Sequence, residues 1–538
     1  MTQPATVIRE PSEGVAPETS GGHEPWSARV FWVAVVAALP AILWWGRDHW
    51  FYFDEWQVLG AEGSAIPGYL EGHNGHWSTL VRLDYRLNFA LWGLRTYLPY
   101  QLPAVLSHLV VAVLVREVAR RCGARGWIAT AAGLAFLVFG SGRENITLGF
   151  QVSLTGSLVC GFALLLLTDG PRTITRRDWL ALPLGVVGLM TSSVFVPMLV
   201  GLGVTTLLRR GVRVAAFFAV PLGAVYSAWY LRYGADSAAP LRLAGRALRY
   251  AVRMFWSTFD DLAQGITGML LLVVATVALA AAVSRARRSA SWAGAALPLG
   301  LAASWLTFAG LTAVARAETA VAPGTPTRFL HISAALLLPL IALGSEELAR
   351  RHTLLGAAAL VPLAIGLPGN LDELAHTKGL FRTNRQLVYA IAHSAVIEDV
   401  PETVRPLQVG GAFQPPATAG WLARQAAAGR IPEPDPSTPP ALDLTATSRL
   451  VLVQDRLDAR DQPTCPELAG PLAMTLEAGD RLPFFGAIAV TVTDGTHKAR
   501  PRQFGTIYGA VVRTVAGPVD VVVETGGPRP PRVCTPPS

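Results

Sequence analysis

Charge is what this sequence lacks. Of its 538 residues only 15% are Asp, Glu, Lys or Arg, against about a quarter in an ordinary soluble domain. With 51% hydrophobic residues, that scarcity excludes a disordered chain and an ordinary water-soluble enzyme. Lysine is nearly missing: Lys378 and Lys498 are the only two, so the formal charge of +8 rests on arginine. The arginines punctuate apolar runs instead of forming a stripe on a soluble domain, so nucleic acid is not an expected partner. Cysteine is scarce as well. Cys122 and Cys160 fall in the apolar part, and only Cys465 and Cys534, in the polar C-terminal part, are placed to form a disulfide in an oxidising compartment. There is no internal repeat.

What is present is apolar sequence in long runs, with a mean hydropathy of +0.38. The arginine bias beside abundant Ala, Gly and Pro points to a GC-rich bacterial coding sequence. Residues 1–28 form a polar, Pro- and Gly-rich stretch that reads as a disordered cytoplasmic tail. Arg29 to Gly46 follows as an uncleaved anchor, since no small-residue cleavage site comes after it. Further apolar windows run from Gln101 to Val115, Trp127 to Gly140, Phe150 to Leu167, Trp179 to Met190, Val194 to Leu208, Val214 to Leu231, Ile266 to Val283, Trp292 to Leu311, Phe329 to Leu343 and Leu354 to Leu367. The stretch from Trp179 to Leu208 is long for one span and short for two. Dividing it at Thr191-Ser192-Ser193 places Arg176-Arg177 and Arg209-Arg210 on the same side, together with the clusters Arg120-Arg121, Arg287-Arg288 and Arg350-Arg351. The positive-inside rule makes that side cytoplasmic.

The expected fold is therefore an all-α polytopic membrane protein of about eleven transmembrane helices over 29–368, multi-pass in the cell's inner or plasma membrane. Its N-terminus is cytoplasmic and its C-terminus exoplasmic. A long first exoplasmic loop occupies 47–99. Beyond the spans come a mixed and linker segment over 369–440, Pro-rich from Gly429 to Pro439, and a small exoplasmic β-rich domain over 441–538. In that domain Leu450–Val453, Ala487–Val492 and Val519–Val523 read as strands and Asp494-Gly495 as a hairpin turn.

The first loop is too long for a connector. Trp50, Phe51, Tyr52, Phe53 and Trp56 read as an aromatic belt around Asp54 and Glu55 at headgroup level. Burial between aromatics and the presence of a neighbouring acid raise a carboxyl pKa toward the range useful for taking a proton from a hydroxyl. The plainer reading is a solvated acidic pair after an anchor helix.

A short cytoplasmic tail, one span, and then an acidic pair in a long first exoplasmic loop resemble the GT-C glycosyltransferases, such as the protein O-mannosyltransferases and the aminoarabinose transferases. About eleven spans and an exoplasmic tail fit too, and the resemblance covers roughly the first two thirds of the chain. It implies a GT-C-like fold, Asp54 as catalytic base with Glu55 assisting or orienting, and Arg328, in Thr327-Arg328-Phe329 at the start of a late span, as a ligand of the donor phosphate. The implied reaction is inverting transfer of a sugar from a polyprenyl-phosphate donor to a cell-envelope hydroxyl, on a glycan, lipid or protein, on the exoplasmic side. The tail domain and the sugar have no counterpart in the resemblance.

Other residues carry two readings each. Arg328 would otherwise be an interfacial arginine snorkelling to headgroups. Arg242, Arg246, Arg249 and Arg253 share one helix face; they would lie on membrane lipid, or Arg249 and Arg253 would meet the donor phosphate. His73 and His76, in HNGHW, would contact substrate or, with Asp54 or Glu55, hold a divalent metal, while Trp77 would stack on a sugar ring. Glu144, Asn145 and Gln151, in SGRENITLGFQ, would be substrate contacts or an ordinary polar turn. The competing function is a lipid-linked glycan transporter or flippase, or a non-catalytic membrane scaffold.

Overall fold

A computed structural model of the protein describes residues 24–535 except 53, 61–65, 235–243, 317–326, 378–381, 408–416, 438 and 458–464. Among the described residues, eight helices are long and apolar enough to cross a membrane: Trp26–Gly46, Leu98–Arg121, Gly149–Leu167, Val212–Gly234, Gly268–Ser289, Ala296–Arg316, Thr327–Arg351 and Thr353–Ala375. The other three apolar windows are also helical but shorter: Gly126–Leu137, Arg176–Thr191 and Phe195–Arg210, of 12, 16 and 16 residues. The last two are separate helices divided at Ser192, whose backbone is extended. Their far ends are tied together, because Arg210 forks onto Asp178 at 2.6 and 2.8 Å.

Two boundaries differ from the sequence reading. The first helix starts at Glu24, so residues 24–28 belong to it rather than to a disordered tail; residues 1–23 lie outside the described residues. The last long helix continues through Pro368 to Ala375.

Thr327–Arg351 is the centre of the bundle, with every side chain from Phe329 to Glu346 buried. Its Gly344 lies so close to the Val274 carbonyl that a Cβ would collide with it. Small residues at such crossings let the helix backbones touch. Helix Ala244–Ala263 is amphipathic. Ala247, Tyr250, Met254, Phe259 and Leu262 are buried, whereas Arg246, Arg249 and Arg253 are exposed. Arg242 lies outside the described residues.

The C-terminal part comprises helices Arg382–Ala392, Ala419–Ala427 and Pro440–Val451 and six strands: β1 (Leu452–Arg456), β2 (Leu472–Leu476), β3 (Arg481–Thr493), β4 (Arg502–Thr514), β5 (Val519–Thr525) and β6 (Arg532–Val533). They form one antiparallel sheet in the order β1-β4-β3-β5-β2, with β6 on β3. Gly495 takes a positive φ in the turn after β3, where Asp494 accepts from the Thr496 and His497 amides. Cys465 and Cys534 are disulfide-bonded.

This part shares a core with the 47–99 loop. Trp50 meets Tyr389 edge-on with centroids 5.6 Å apart, and Phe89 stacks on Trp421. The loop and the C-terminal part therefore sit at the same end of the bundle. The expected aromatic belt is accordingly corrected. Trp50, Phe51 and Trp56 are core residues, Phe51 packing edge-on against Tyr97 and Tyr100, and only Tyr52 is exposed; Phe53 lies outside the described residues. Aromatic edges found better partners in protein than in lipid headgroups.

Candidate active site

Asp54 and Glu55 open the short helix Asp54–Gly60, and their side chains go to opposite environments. Glu55 is buried. One of its oxygens accepts from the Tyr97 hydroxyl at 2.7 Å and from the Tyr85 hydroxyl, while the other accepts from the Tyr52 amide at 2.7 Å. Burial pushes its carboxyl up to about 7, against the pull of those donors. Asp54 keeps a third of its side chain exposed. Burial pushes its carboxyl up too, but the hydrogen bond and charge of His73, the charge of Arg328 and the bond from Asn74 outweigh this and hold it below the usual value. The expectation that both carboxyls rise is thus met by Glu55 alone.

The HNGH segment is a tight turn. His73 and His76 exchange both backbone bonds at 2.9 Å, and Asn74 and Gly75 take φ values of 50° and 79°, as an Asn-Gly pair does in a type I′ turn. Asn74 Nδ2 donates to Asp54 at 3.2 Å, and His73 Nε2 stands 3.5 Å from the same oxygen. His76 turns away: its Nδ1 bonds the Ser192 hydroxyl at 3.2 Å, and Ser193 donates to the Gly75 carbonyl at 3.1 Å. The break between the two short helices is thus the seat of the turn that holds Asp54. The two imidazoles diverge, and among the described residues no three His, Cys, Asp or Glu side chains gather as metal ligands would. Trp77 does not present a sugar platform, because it is buried and lies flat on Trp229, with ring planes 3° apart and centroids 5.3 Å apart.

Arg328 faces Asp54 from the start of the central helix, near enough for its charge to act on the carboxylate. Its guanidinium lies over Phe329, 5.2 Å from the ring centroid, and Arg316 lies over the same ring at 5.6 Å. One aromatic thereby lies within cation–π range of two like charges. Tyr250 joins them electrostatically, with a buried hydroxyl that has no hydrogen-bond partner among the described residues. Glu144 Oε2 stands 3.7 Å from Arg328 at the open edge.

Asn145 is buried, and its Nδ2 donates to the Arg328 carbonyl at 2.8 Å and lies 3.3 Å from His331 Nδ1. His331 Nε2 in turn meets His108 Nδ1 at 3.1 Å, and His108 Nε2 meets the Leu137 carbonyl at 3.1 Å. A carbonyl can only accept, so with neutral rings the protons run one way, from Asn145 through His331 and His108 to Leu137. Asn145 is therefore a support for Arg328 and not a substrate contact. Gln151 is likewise buried; its carbonyl accepts from Thr155 at 3.2 Å as the chain turns into the next span.

Of the residues expected at the site, the fold brings together Asp54, His73, Glu144 and Arg328. Arg249 and Arg253 instead lie on the exposed face of their helix, which turns Tyr250 inward. The sequence reading missed Arg316, Tyr250, Tyr85 and Tyr97. Arg316 had a signal: it and Arg328 are the charges that bracket one connection between two spans. No protein-family model, curated protein or solved structure matches the chain.

Proposed function

We propose that the protein is an integral membrane glycosyltransferase of GT-C type, moving a sugar from a polyprenyl-phosphate donor to a hydroxyl of a cell-envelope glycan, lipid or protein with inversion. In this reading all eleven apolar helices span, the N-terminus is cytoplasmic, and the 47–99 loop and C-terminal part are exoplasmic. One observation carries it: an ionised, partly exposed carboxylate, Asp54, lies within electrostatic reach of two guanidinium groups held on Phe329 where the central helix begins.

Asp54 takes the acceptor's hydroxyl proton as that oxygen attacks the anomeric carbon from the side opposite the phosphate. The bond from carbon to phosphate oxygen breaks, and the departing polyprenyl phosphate takes the electron pair, its charge stabilised by Arg328 and Arg316. A low pKa makes Asp54 a weak base in the free protein. A bound phosphate offsets the two guanidinium charges, so the Asp54 carboxyl rises when the donor is in place.

The test is transfer from a panel of radiolabelled polyprenyl-phosphate sugars in membranes holding wild type, Asp54→Asn or Arg328→Ala at matched expression. Wild type transfers and Asp54→Asn loses on the order of a hundredfold or more. Full activity in Asp54→Asn overturns its role as base. Absence of transfer with every donor and acceptor overturns the enzyme reading and favours a transporter of lipid-linked glycan.

A further inference from the structure

Four separated segments meet at Glu55. Tyr52 precedes the helix, Tyr85 lies on helix Thr79–Trp92, Tyr97 leads into helix Leu98–Arg121, and Gly149 follows the 143–147 turn. Gly149 enters through Tyr97, whose hydroxyl accepts from the Gly149 amide at 2.8 Å while donating to Glu55. A side chain at 149 would not fit, since a Cβ there would stand 2.7 Å from the Tyr85 hydroxyl and 2.5 Å from the Tyr100 carbonyl oxygen.

The Tyr52 amide and the Tyr85 and Tyr97 hydroxyls all donate to this carboxylate, an arrangement suited to its ionised, acceptor-only form. A proton on Glu55 adds a donor where Tyr97 is already accepting from Gly149 and where the Tyr52 amide and Tyr85 hydroxyl also donate. The network must then weaken toward a neutral acceptor and accommodate an added O–H donor, in the residue that adjoins Asp54.

We infer that Glu55 is a positioning residue and not a second base: its carboxylate fixes where Asp54 stands by gathering the Tyr52 amide and the Tyr85 and Tyr97 hydroxyls, and its proton sets the acidic limb of the pH–rate profile. In the donor-free protein, whose groups kcat/KM reports, Asp54 stays ionised through that range because its carboxyl is held low, whereas Glu55 titrates near neutrality. The other titratable or charged groups acting on this network are Asp54 on the same helix, Asp84 through Tyr85, and Tyr100 on the following helix. Asp84 is the competing source of such a limb, since burial pushes its carboxyl up to about 6.

The activity readout rests on the glycosyltransferase reading, so a second readout is independent of it. The kcat/KM for transfer is followed from pH 5 to 9 in wild type, Glu55→Gln, Tyr97→Phe and Asp84→Asn. Wild type gains activity with a single midpoint near 7, and Glu55→Gln is slower and flat across that limb. Tyr97→Phe moves the midpoint upward by about one unit or more, because a hydroxyl that stabilised the charged form is gone. Asp84→Asn leaves the midpoint in place. Infrared difference spectra of purified protein follow the same proton as a carboxylic-acid carbonyl band that fades near pH 7 and is missing in Glu55→Gln.

A midpoint unmoved by Glu55→Gln and Tyr97→Phe overturns the inference, as does a limb that disappears in Asp84→Asn. If no donor supports turnover, the enzyme reading has failed, and the infrared band still decides whether Glu55 is the group that titrates. Its absence from wild type overturns the inference by itself.

Discussion

Asn145 donates from its side-chain amide to the backbone carbonyl of Arg328 at 2.8 Å, although 183 residues separate them. The bond ties the turn after one span to the first turn of the central helix and so fixes where the Arg328 guanidinium emerges. Asn145→Ala leaves the Arg328 carbonyl and His331 Nδ1 without this donor. We expect a loss of about 1–3 kcal/mol in stability, read by thermal unfolding in detergent. In the proposed glycosyltransferase, the KM for the lipid-linked donor should rise more than kcat falls. A fall confined to kcat would mean that Asn145 acts on the reacting groups directly.

Glu144 stands 3.7 Å from Arg328, where an incoming phosphate would compete with it. Removing a competing anion strengthens binding of the one that remains. Glu144→Gln should therefore lower the donor KM, opposite in sign to Arg328→Ala, by a few-fold because the pair is partly exposed and screened. If both variants raise KM, Glu144 holds substrate and does not compete with it.

Gly75 carries the second positive φ of the turn that supplies Asn74 and His73 to Asp54. Gly75→Ala places an L-residue in the left-handed region at a cost of roughly 1–2 kcal/mol. The transfer rate should fall while donor binding is kept, because Arg328 is untouched. Equal rates in the variant and wild type would show that Asp54 does not depend on this turn.

The Glu55 carboxyl is raised from 4.5 to about 7 in the folded protein. The native state then binds this proton more tightly than the unfolded chain, so its stabilising effect is full below about 4.5 and is lost as pH rises through about 7. The wild-type melting temperature minus that of Glu55→Gln should accordingly shrink between pH 5 and pH 8, while activity grows. Asp84 shifts in the same direction but is present in both proteins and cancels. A difference that widens with pH would reverse the assignment.

Features that depend on local pattern could be read from the chain. Hydropathy located the eleven apolar helices among the described residues, and Thr191-Ser192-Ser193 marked the division of Arg176–Thr191 from Phe195–Arg210. Asp494-Gly495 marked its turn. His73-Asn74-Gly75-His76 shows the limit: its histidines left substrate contact and a metal both open, whereas the Asn-Gly between them dictates a turn whose two imidazoles face different partners. What depends on distant partners was hidden. Nothing near Glu55 in sequence indicates Tyr85 or Tyr97, 30 and 42 residues on, or that Trp77 is already covered by Trp229. For Arg249 and Arg253 the periodicity identified one shared face, which the fold leaves exposed as the lipid-surface reading expects.

Leu94 has a consequence for how the protein comes into being. Its amide donates to the Arg430 carbonyl at 2.7 Å, and its carbonyl accepts from the Tyr389 hydroxyl at 2.6 Å. The ribosome makes Leu94 early and these partners late, so the aromatic core around Trp50 and Tyr97 waits through most of translation for the segment that completes it. A chain truncated before Tyr389 would carry Asp54 and Arg328 and still lack a finished site. Quality control during biogenesis therefore has one late event to monitor: the arrival of the tail on a loop laid down near the beginning.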